Sequence, residues 1–185
     1  IPKSLKILNK ADNTFFYYLC SKATDGRQVG SYIYKRKNEI NEILDQLISA
    51  GVKPENIYLA GHSAGGWASL MIMDQVEKKF NSAIVFAPTF SGPRSEINQY
   101  PKWRKEARPR QIKQMTQSKT IKALIFAYED DKFNRPKELN FLPKKYPNSV
   151  ELVGYKCGKG HYTVQYDCKL SETKKKIKAF FENSK

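Results

Sequence analysis

One hexapeptide constrains this chain more than any other stretch: Gly61-His62-Ser63-Ala64-Gly65-Gly66, which contains the pattern G-x-S-x-G. Small residues two positions either side of a serine let a strand and a helix pass closely, with the serine at the tip of a strained turn. Asn56 to Ala60 is a short apolar run typical of a buried strand. After the turn, apolar residues recur at helical spacing: Ala64, Trp67, Ala68, Met71 and Ile72. The pattern therefore predicts a strand, a sharp turn and a helix, with the hydroxyl of Ser63 exposed above a sheet.

Length and composition indicate one globular domain spanning residues 1–185. Apolar residues make up 40% of the chain and aromatic residues 12%, which is enough to build a hydrophobic core. No apolar run approaches the roughly 20 residues of a membrane span, and no signal peptide is visible. Because the first residue is Ile1 rather than methionine, we expect that an upstream segment was removed or is not included.

The formal net charge of +15 favours anionic partners such as acidic polymers, lipid headgroups, nucleic acid or anionic substrates. The alternative is a lysine-rich surface that is merely solvated, since the lysines are spread along the chain. The densest basic stretches, Lys102 to Lys113 and Lys174 to Lys178, carry no recognisable nucleic-acid motif. We therefore predict no specific nucleic-acid partner and retain an anionic surface as a candidate partner. The oligomeric state is not predictable from the sequence.

Apolar strands that alternate with helical stretches predict an α/β fold, with a mostly parallel sheet and helices on both faces. The predicted strands are Thr14 to Leu19, Asn56 to Ala60, Ser82 to Ala87, Ile121 to Tyr128 and Ser149 to Tyr155. The predicted helices are Ser4 to Ala11, Tyr32 to Ala50, the stretch after Ser63, Lys105 to Gln117, Pro136 to Leu142 and a last one from about Ser171. Ligands of such sheets bind beyond the carboxyl ends of the strands, so residues that follow strands are candidates for function.

A long excursion at about residues 88–120 interrupts this alternation. Excursions of this length are usually functional lids or binding loops. Its aromatic residues Phe90, Tyr100 and Trp103 either line a pocket for an acyl or aromatic group or pack a lid onto the core.

Serine needs a base to become a good nucleophile, and the chain has two histidines. His62 is adjacent to Ser63, so its side chain should point away from the serine hydroxyl, and we list it as a candidate pocket residue. That leaves His161, in a glycine-containing loop after the last strand, as the candidate base. The acid that orients its imidazole is expected in the acidic triplet 129–131, which directly follows a strand.

The order serine, acid, histidine matches the α/β-hydrolase fold, and the chain resembles the dienelactone hydrolase-like serine esterases. The matching residues are the hexapeptide 61–66, the stretch Tyr128 to Phe133 with Pro136 beyond it, and Gly160-His161. In similar sequences the second acid of an x-Glu-x-Asp-x-aromatic pattern is the catalytic one, and in the stretch Tyr128 to Phe133 that pattern favours Asp131 over Asp130.

The resemblance also implies an oxyanion hole, for which the backbone N–H of Ala64 is one donor. The other donor should come from a loop after a strand that ends in His-Gly, and nothing before Ser63 matches that strand. We therefore expect the chain to lack the N-terminal strands of the fold. A lost oxyanion donor lowers the rate by roughly 10²–10³-fold.

Two of the three cysteines, Cys157 and Cys168, bracket His161. A disulfide between them would stiffen the loop and imply an oxidising compartment, periplasmic or secreted; two free thiols in a reducing cytoplasm are the alternative. Cys20 is then unpaired, and we expect it to be buried at the end of its strand. Because the sequence has no C-x-x-C pair and two histidines, we predict no metal site and no cofactor.

Two classes of function remain open. The first is a serine hydrolase that cleaves a small-molecule or lipid-like carboxylic ester, with Ser63 as nucleophile, His161 as base and Asp131 as acid; peptidases, thioesterases and acyltransferases share this machinery. The second is a non-catalytic module on a hydrolase fold that docks an anionic partner.

Overall fold

The computed structural model describes residues 2–3, 5–6, 14–23, 31–90 and 102–184, without the side chains of residues 31, 102 and 103. Four strands form one parallel sheet in the order β1-β2-β3-β4. They are β1 Tyr58–His62, β2 Ser82–Phe86, β3 Ala123–Tyr128 and β4 Val150–Tyr155. The predicted α/β class, a parallel sheet flanked by helices, is confirmed.

Six α-helices flank this sheet in the described part of the chain: α1 Ser31–Ser49, α2 Ala64–Met71, α3 Arg108–Gln117, α4 Pro136–Leu139, α5 Phe141–Lys145 and α6 Leu170–Glu182. A π-helical segment, Lys102–Ala107, leads into α3. Short 3₁₀ segments lie at Pro54–Asn56, Met73–Gln75 and Gly160–Gln165. Among the described helices, none has the length and apolar character needed to span a membrane.

The core has two layers because the central strands are covered on both faces. β2 and β3 are buried along their whole length, which explains why their sequences are unbroken apolar runs. One layer contains buried side chains of α1, α2 and α3, and the other packs Ile177 of α6 against the opposite face. On α1 the predicted apolar stripe points inward, with Ile40 and Leu44 buried.

The predicted strand at Thr14 to Leu19 is wrong. The chain here forms no regular secondary structure, and three of its four aromatic side chains are exposed, with Phe15 94% exposed, while Phe16 packs against the core. Aromatic residues favour strands only where a neighbouring strand and a packing surface are available, and this segment is not a member of the sheet. The expectation that Cys20 is buried at a strand end fails for the same reason, since Cys20 is an exposed free thiol.

Other elements differ from prediction in detail. The stretch Pro136 to Leu142 forms the end-to-end helices α4 and α5 rather than one helix. The predicted helix Lys105 to Gln117 is the π-helical segment followed by α3. Most of the predicted first helix, Ser4 to Ala11, lies outside the described residues, although Leu5 is buried.

Candidate active site

Ser63 lies between the last residue of β1 and the first residue of α2, in a conformation with φ 56° and ψ −125°. A side chain at Gly61 would place its Cβ 2.5 Å from the carbonyl carbon of Gly65, and one at Gly66 would lie 3.0 Å from the Gly61 oxygen. The turn therefore has no room for a side chain at Gly61, and a side chain at Gly66 would be in tight contact with the backbone of Gly61. The N–H of Ser63 donates to the carbonyl of Phe86 (3.0 Å), which fixes the turn against β2.

Ser63, His161 and Asp131 form a continuous hydrogen-bonded series. The hydroxyl of Ser63 lies 2.8 Å from Nε2 of His161, and Nδ1 of His161 lies 2.8 Å from Oδ2 of Asp131. Because a carboxylate only accepts, Nδ1 carries the proton and Nε2 is free to accept from the serine hydroxyl. His161 is 6% exposed and Asp131 is fully buried, so little water competes for these bonds.

The turn that carries Asp131 is fixed by three further hydrogen bonds. Oδ1 of Asp131 accepts from the N–H of Phe133 at 2.7 Å. The carbonyl of Phe133 accepts from Nη2 of Arg104 at 2.5 Å, and the side-chain amide of Asn134 donates to the carbonyl of Pro88 at 2.9 Å. The edge-on ring of Phe133 also contacts His161, with 4.6 Å between centroids. Sequence reasoning missed Arg104, because only the tertiary fold brings it to this turn.

The 3₁₀ segment that carries His161 is attached through its backbone as well as its ring. The N–H of Gly160 donates to Oδ2 of Asp130 at 2.7 Å, so Asp130 contacts the loop and not the imidazole. Nε2 of His62 lies 2.9 Å from the carbonyl of His161. Burial lowers the pKa of His62, which favours its neutral form. A disulfide joins Cys157 to Cys168 across the base of the loop.

The described part of the excursion packs against the helix that follows Ser63. Nε1 of Trp67 on α2 donates to Oε1 of Gln111 on α3 at 2.7 Å, and both side chains are buried. The guanidinium of Arg108 lies over the Trp67 ring, and its Nη2 donates to the carbonyl of Glu138. Burial lowers the pKa of Arg108 to about 10, so it stays charged at neutral pH.

The remaining predicted site residues have different surroundings. Ala64 is the first residue of α2, so its N–H is one of those without an acceptor inside the helix. Phe90 is buried in the core, edge-on to Tyr32 at 4.4 Å. Tyr100 and the side chain of Trp103 lie outside the described residues. Among the residues that are described, no cluster of histidine, cysteine and acidic side chains suits a metal ion.

A parallel sheet with a strained serine turn after one strand, an acid after another and a histidine after the last defines an α/β-hydrolase. The chain belongs to the lipase (class 3) family, whose family model matches residues 4–122. That match includes the turn around Ser63 and ends before Asp131 and His161. It does not confirm the more detailed resemblance to dienelactone hydrolases.

Solved structures show the same fold at low sequence identity. SOBER1 from Arabidopsis thaliana is 22% identical with a TM-score of 0.55, over 84% of this chain and 65% of its own. A puromycin hydrolase is 12% identical with a TM-score of 0.66, over 85% of this chain and 26% of its own. DcsB is 14% identical with a TM-score of 0.65, over 86% of this chain and 76% of its own. The chain thus spans just under two thirds of the SOBER1 chain. No curated protein matches the sequence.

Proposed function

We propose that the protein is a serine hydrolase that cleaves carboxylic esters through an acyl-enzyme. The observation that carries the proposal is the pair of 2.8 Å contacts that connects Ser63 to His161 and His161 to Asp131. A neutral imidazole between a hydroxyl and a buried carboxylate is the arrangement in which a serine can lose its proton as it attacks.

In the first half of the reaction, Oγ of Ser63 attacks the acyl carbon and its proton passes to Nε2 of His161. Asp131 stabilises the resulting imidazolium through the Nδ1–H bond. The N–H of Ala64 at the start of α2 is directed to the oxyanion of the tetrahedral intermediate, where the helix N-terminus adds favourable charge. Nε2–H then protonates the departing alkoxide. The alcohol is released, and the acyl group stays bound to Oγ of Ser63 as the acyl-enzyme.

In the second half, water gives its proton to Nε2 of His161 and attacks the acyl carbon. Collapse of the second intermediate returns the proton to Oγ of Ser63 and releases the carboxylic acid. The lipase (class 3) match favours an ester, and within that class a lipid-like ester, as the substrate. Amide and thioester cleavage use the same steps, and one of the solved relatives is described as a puromycin-hydrolyzing peptidase.

The test compares the wild-type protein with Ser63→Ala on a series of aryl esters of increasing acyl length. A fluorophosphonate probe, which reacts only with an activated serine, is applied in parallel. We expect the variant to lose labelling and to hydrolyse esters about 10⁶-fold more slowly, while its unfolding temperature stays the same. Ser171→Ala, an exposed serine on α6, is the matched control. Labelling and turnover that survive in Ser63→Ala would refute the mechanism.

The same assay separates this proposal from the non-catalytic alternative. A module that only docks an anionic partner through its net charge of +15 should bind acidic vesicles or polyanions but leave the probe unreacted. Reaction of the probe with wild type at Ser63 excludes that alternative.

A further inference from the structure

Three successive peptide groups around Gly160 and His161 are hydrogen-bonded. The N–H of Gly160 donates to Asp130, and the hydroxyl of Thr163 donates to the carbonyl of Gly160 at 2.8 Å. At the peptide that follows His161, Nε2 of His62 lies 2.9 Å from the carbonyl of His161. A carbonyl oxygen only accepts, so Nε2 of His62 carries the proton of this bond.

His62 differs from the other contacts because it is the covalent neighbour of Ser63. It is the last residue of β1, and the peptide that follows it enters the strained turn. Its ring lies 4.8 Å from the ring of His161 at an angle of 37°. The side chain of His62 therefore connects the backbone that positions Ser63 to the backbone that positions His161.

Rigid attachment at this point has a chemical consequence. Ser63 and His161 come from segments 98 residues apart, yet Oγ and Nε2 must stay within hydrogen-bond distance. The side chain of Asp131 binds Nδ1 of His161 and the N–H of Phe133, so these two hydrogen bonds fix the imidazole relative to the turn at Asp131 and not relative to β1. Proton transfer is sensitive to small displacements, since a shift of about 1 Å can lower a rate by about 10²-fold.

We propose that His62 is a positioning residue for His161: its Nε2–H binds the carbonyl of His161 and sets the distance between His161 and Ser63. The proposal rests on the proposed function, in which His161 is the base. The sequence lists His62 as a candidate pocket residue, and the experiment below distinguishes that role from positioning.

The electrostatic surroundings of His62 support this role. Its side chain faces His161 and lies within the electrostatic influence of Asp131, and burial favours the uncharged ring. A neutral donor binds the carbonyl without placing a second positive charge beside the imidazolium that forms on His161. A cation at this site would oppose that charge.

The experiment compares His62→Gln with His62→Phe. Glutamine places an amide N–H near the position of Nε2, whereas phenylalanine preserves a ring of similar size without a donor. We expect His62→Phe to lower kcat on an aryl ester by about 10- to 100-fold with little change in KM. His62→Gln should recover most of that loss. A residue that lines the pocket would instead change KM in both variants.

A spectroscopic readout separates failure of this proposal from failure of the proposed function. The chain has two histidines, so either variant leaves a single imidazole, whose ring N–H signals in a ¹⁵N-labelled protein belong to His161. We expect the Nδ1–H signal of His161 to stay sharp in His62→Gln and to broaden by faster exchange in His62→Phe. This readout remains valid if no ester is hydrolysed.

Equal kcat values for the two variants, or an unchanged His161 signal in His62→Phe, would overturn the proposal. If His62→Phe does not fold, His62→Leu takes its place as the variant without a donor. If that variant also fails, His62→Asn against His62→Gln makes the comparison, because asparagine has the amide but is too short to reach the His161 carbonyl.

Discussion

The turn that carries Ser63 and the loop that carries His161 reach the same site by different physical means. The Ser63 turn depends on exclusion, because a Cβ at Gly61 would overlap the backbone of Gly65 and Gly66, and one at Gly66 would be in tight contact with Gly61. The His161 loop is fixed by attachment: its backbone donates to Asp130 and accepts from Thr163 and His62, and a disulfide lies at its base. The Ser63 turn should therefore be disrupted by adding an atom, and the His161 loop by removing a contact.

The largest effect is expected from the contact that attaches the imidazole itself. Asp131→Asn should lower kcat by about 10⁴, because an amide nitrogen facing Nδ1 favours the wrong tautomer of His161. The neighbouring Asp130→Asn is the matched control, since an amide oxygen can still accept from the N–H of Gly160. Steady-state kinetics on one aryl ester decides, and a larger loss from Asp130→Asn would move the acid assignment to Asp130.

Adding one carbon atom tests the turn. Gly61→Ala brings a Cβ within 2.6 Å of two backbone atoms, so the free energy of unfolding should fall by about 3 kcal/mol or more. In Gly65→Ala, a Cβ meets nothing within 4 Å, and alanine favours the helix over glycine. Denaturant unfolding of the two variants should give opposite signs. If both variants were equally stable, exclusion would not be what fixes the turn.

Removing the disulfide tests the loop. Replacing both Cys157 and Cys168 by serine should cost about 2–4 kcal/mol of unfolding free energy, since the bridge restricts the unfolded chain. Cys20→Ser is the control, because that thiol is free and exposed. The two midpoints in urea are compared with and without a dithiol reductant. A wild-type midpoint that is insensitive to the reductant would show that the bridge does not stabilise the protein.

The same contrast explains what the sequence predicts and what it does not. Steric exclusion leaves a local signature, so the pattern 61–66 predicted the turn, and the buried strands were predicted because burial on both faces demands unbroken apolar runs. The observed strand ends differ from the predicted ones by about two residues, as at β1, because hydrogen bonding to the neighbouring strand determines where a strand begins and ends.

Attachments leave no such signature. The contacts of Arg104 with the Phe133 carbonyl and of His62 with the His161 carbonyl join segments far apart in sequence, and any donor of the right length could make them. The prediction of a strand at residues 14–19 was wrong for the converse reason. Its aromatic pattern is a strand signal, but a strand also requires a partner, which local residues do not specify. That Asp131 rather than Asp130 is the acid remains a prediction, which the kinetics above test.

The smallest expected effect concerns the attachment through the imidazole of His62, which can titrate. Burial lowers the pKa of His62 below its usual value near 6.5 and outweighs the hydrogen bond to the His161 carbonyl, which raises it, so the folded state resists a proton that the unfolded chain accepts. As the pH falls below about 6.5, the unfolded state binds more protons than the folded state, and the free energy of unfolding declines. The decline ends below the folded pKa, where both states are protonated.

His62→Gln removes this titration and leaves every other group in place. Thermal unfolding of wild type and variant is measured from pH 7.5 to pH 5, and the wild-type unfolding temperature should fall more steeply. The difference between the two slopes isolates His62, because the remaining groups contribute to both. Equal slopes would show that His62 protonates as readily in the folded as in the unfolded chain, and a steeper slope for the variant would reverse the sign of the shift. Either result would mean that a charged ring makes the contact with the His161 carbonyl at least as well as a neutral one.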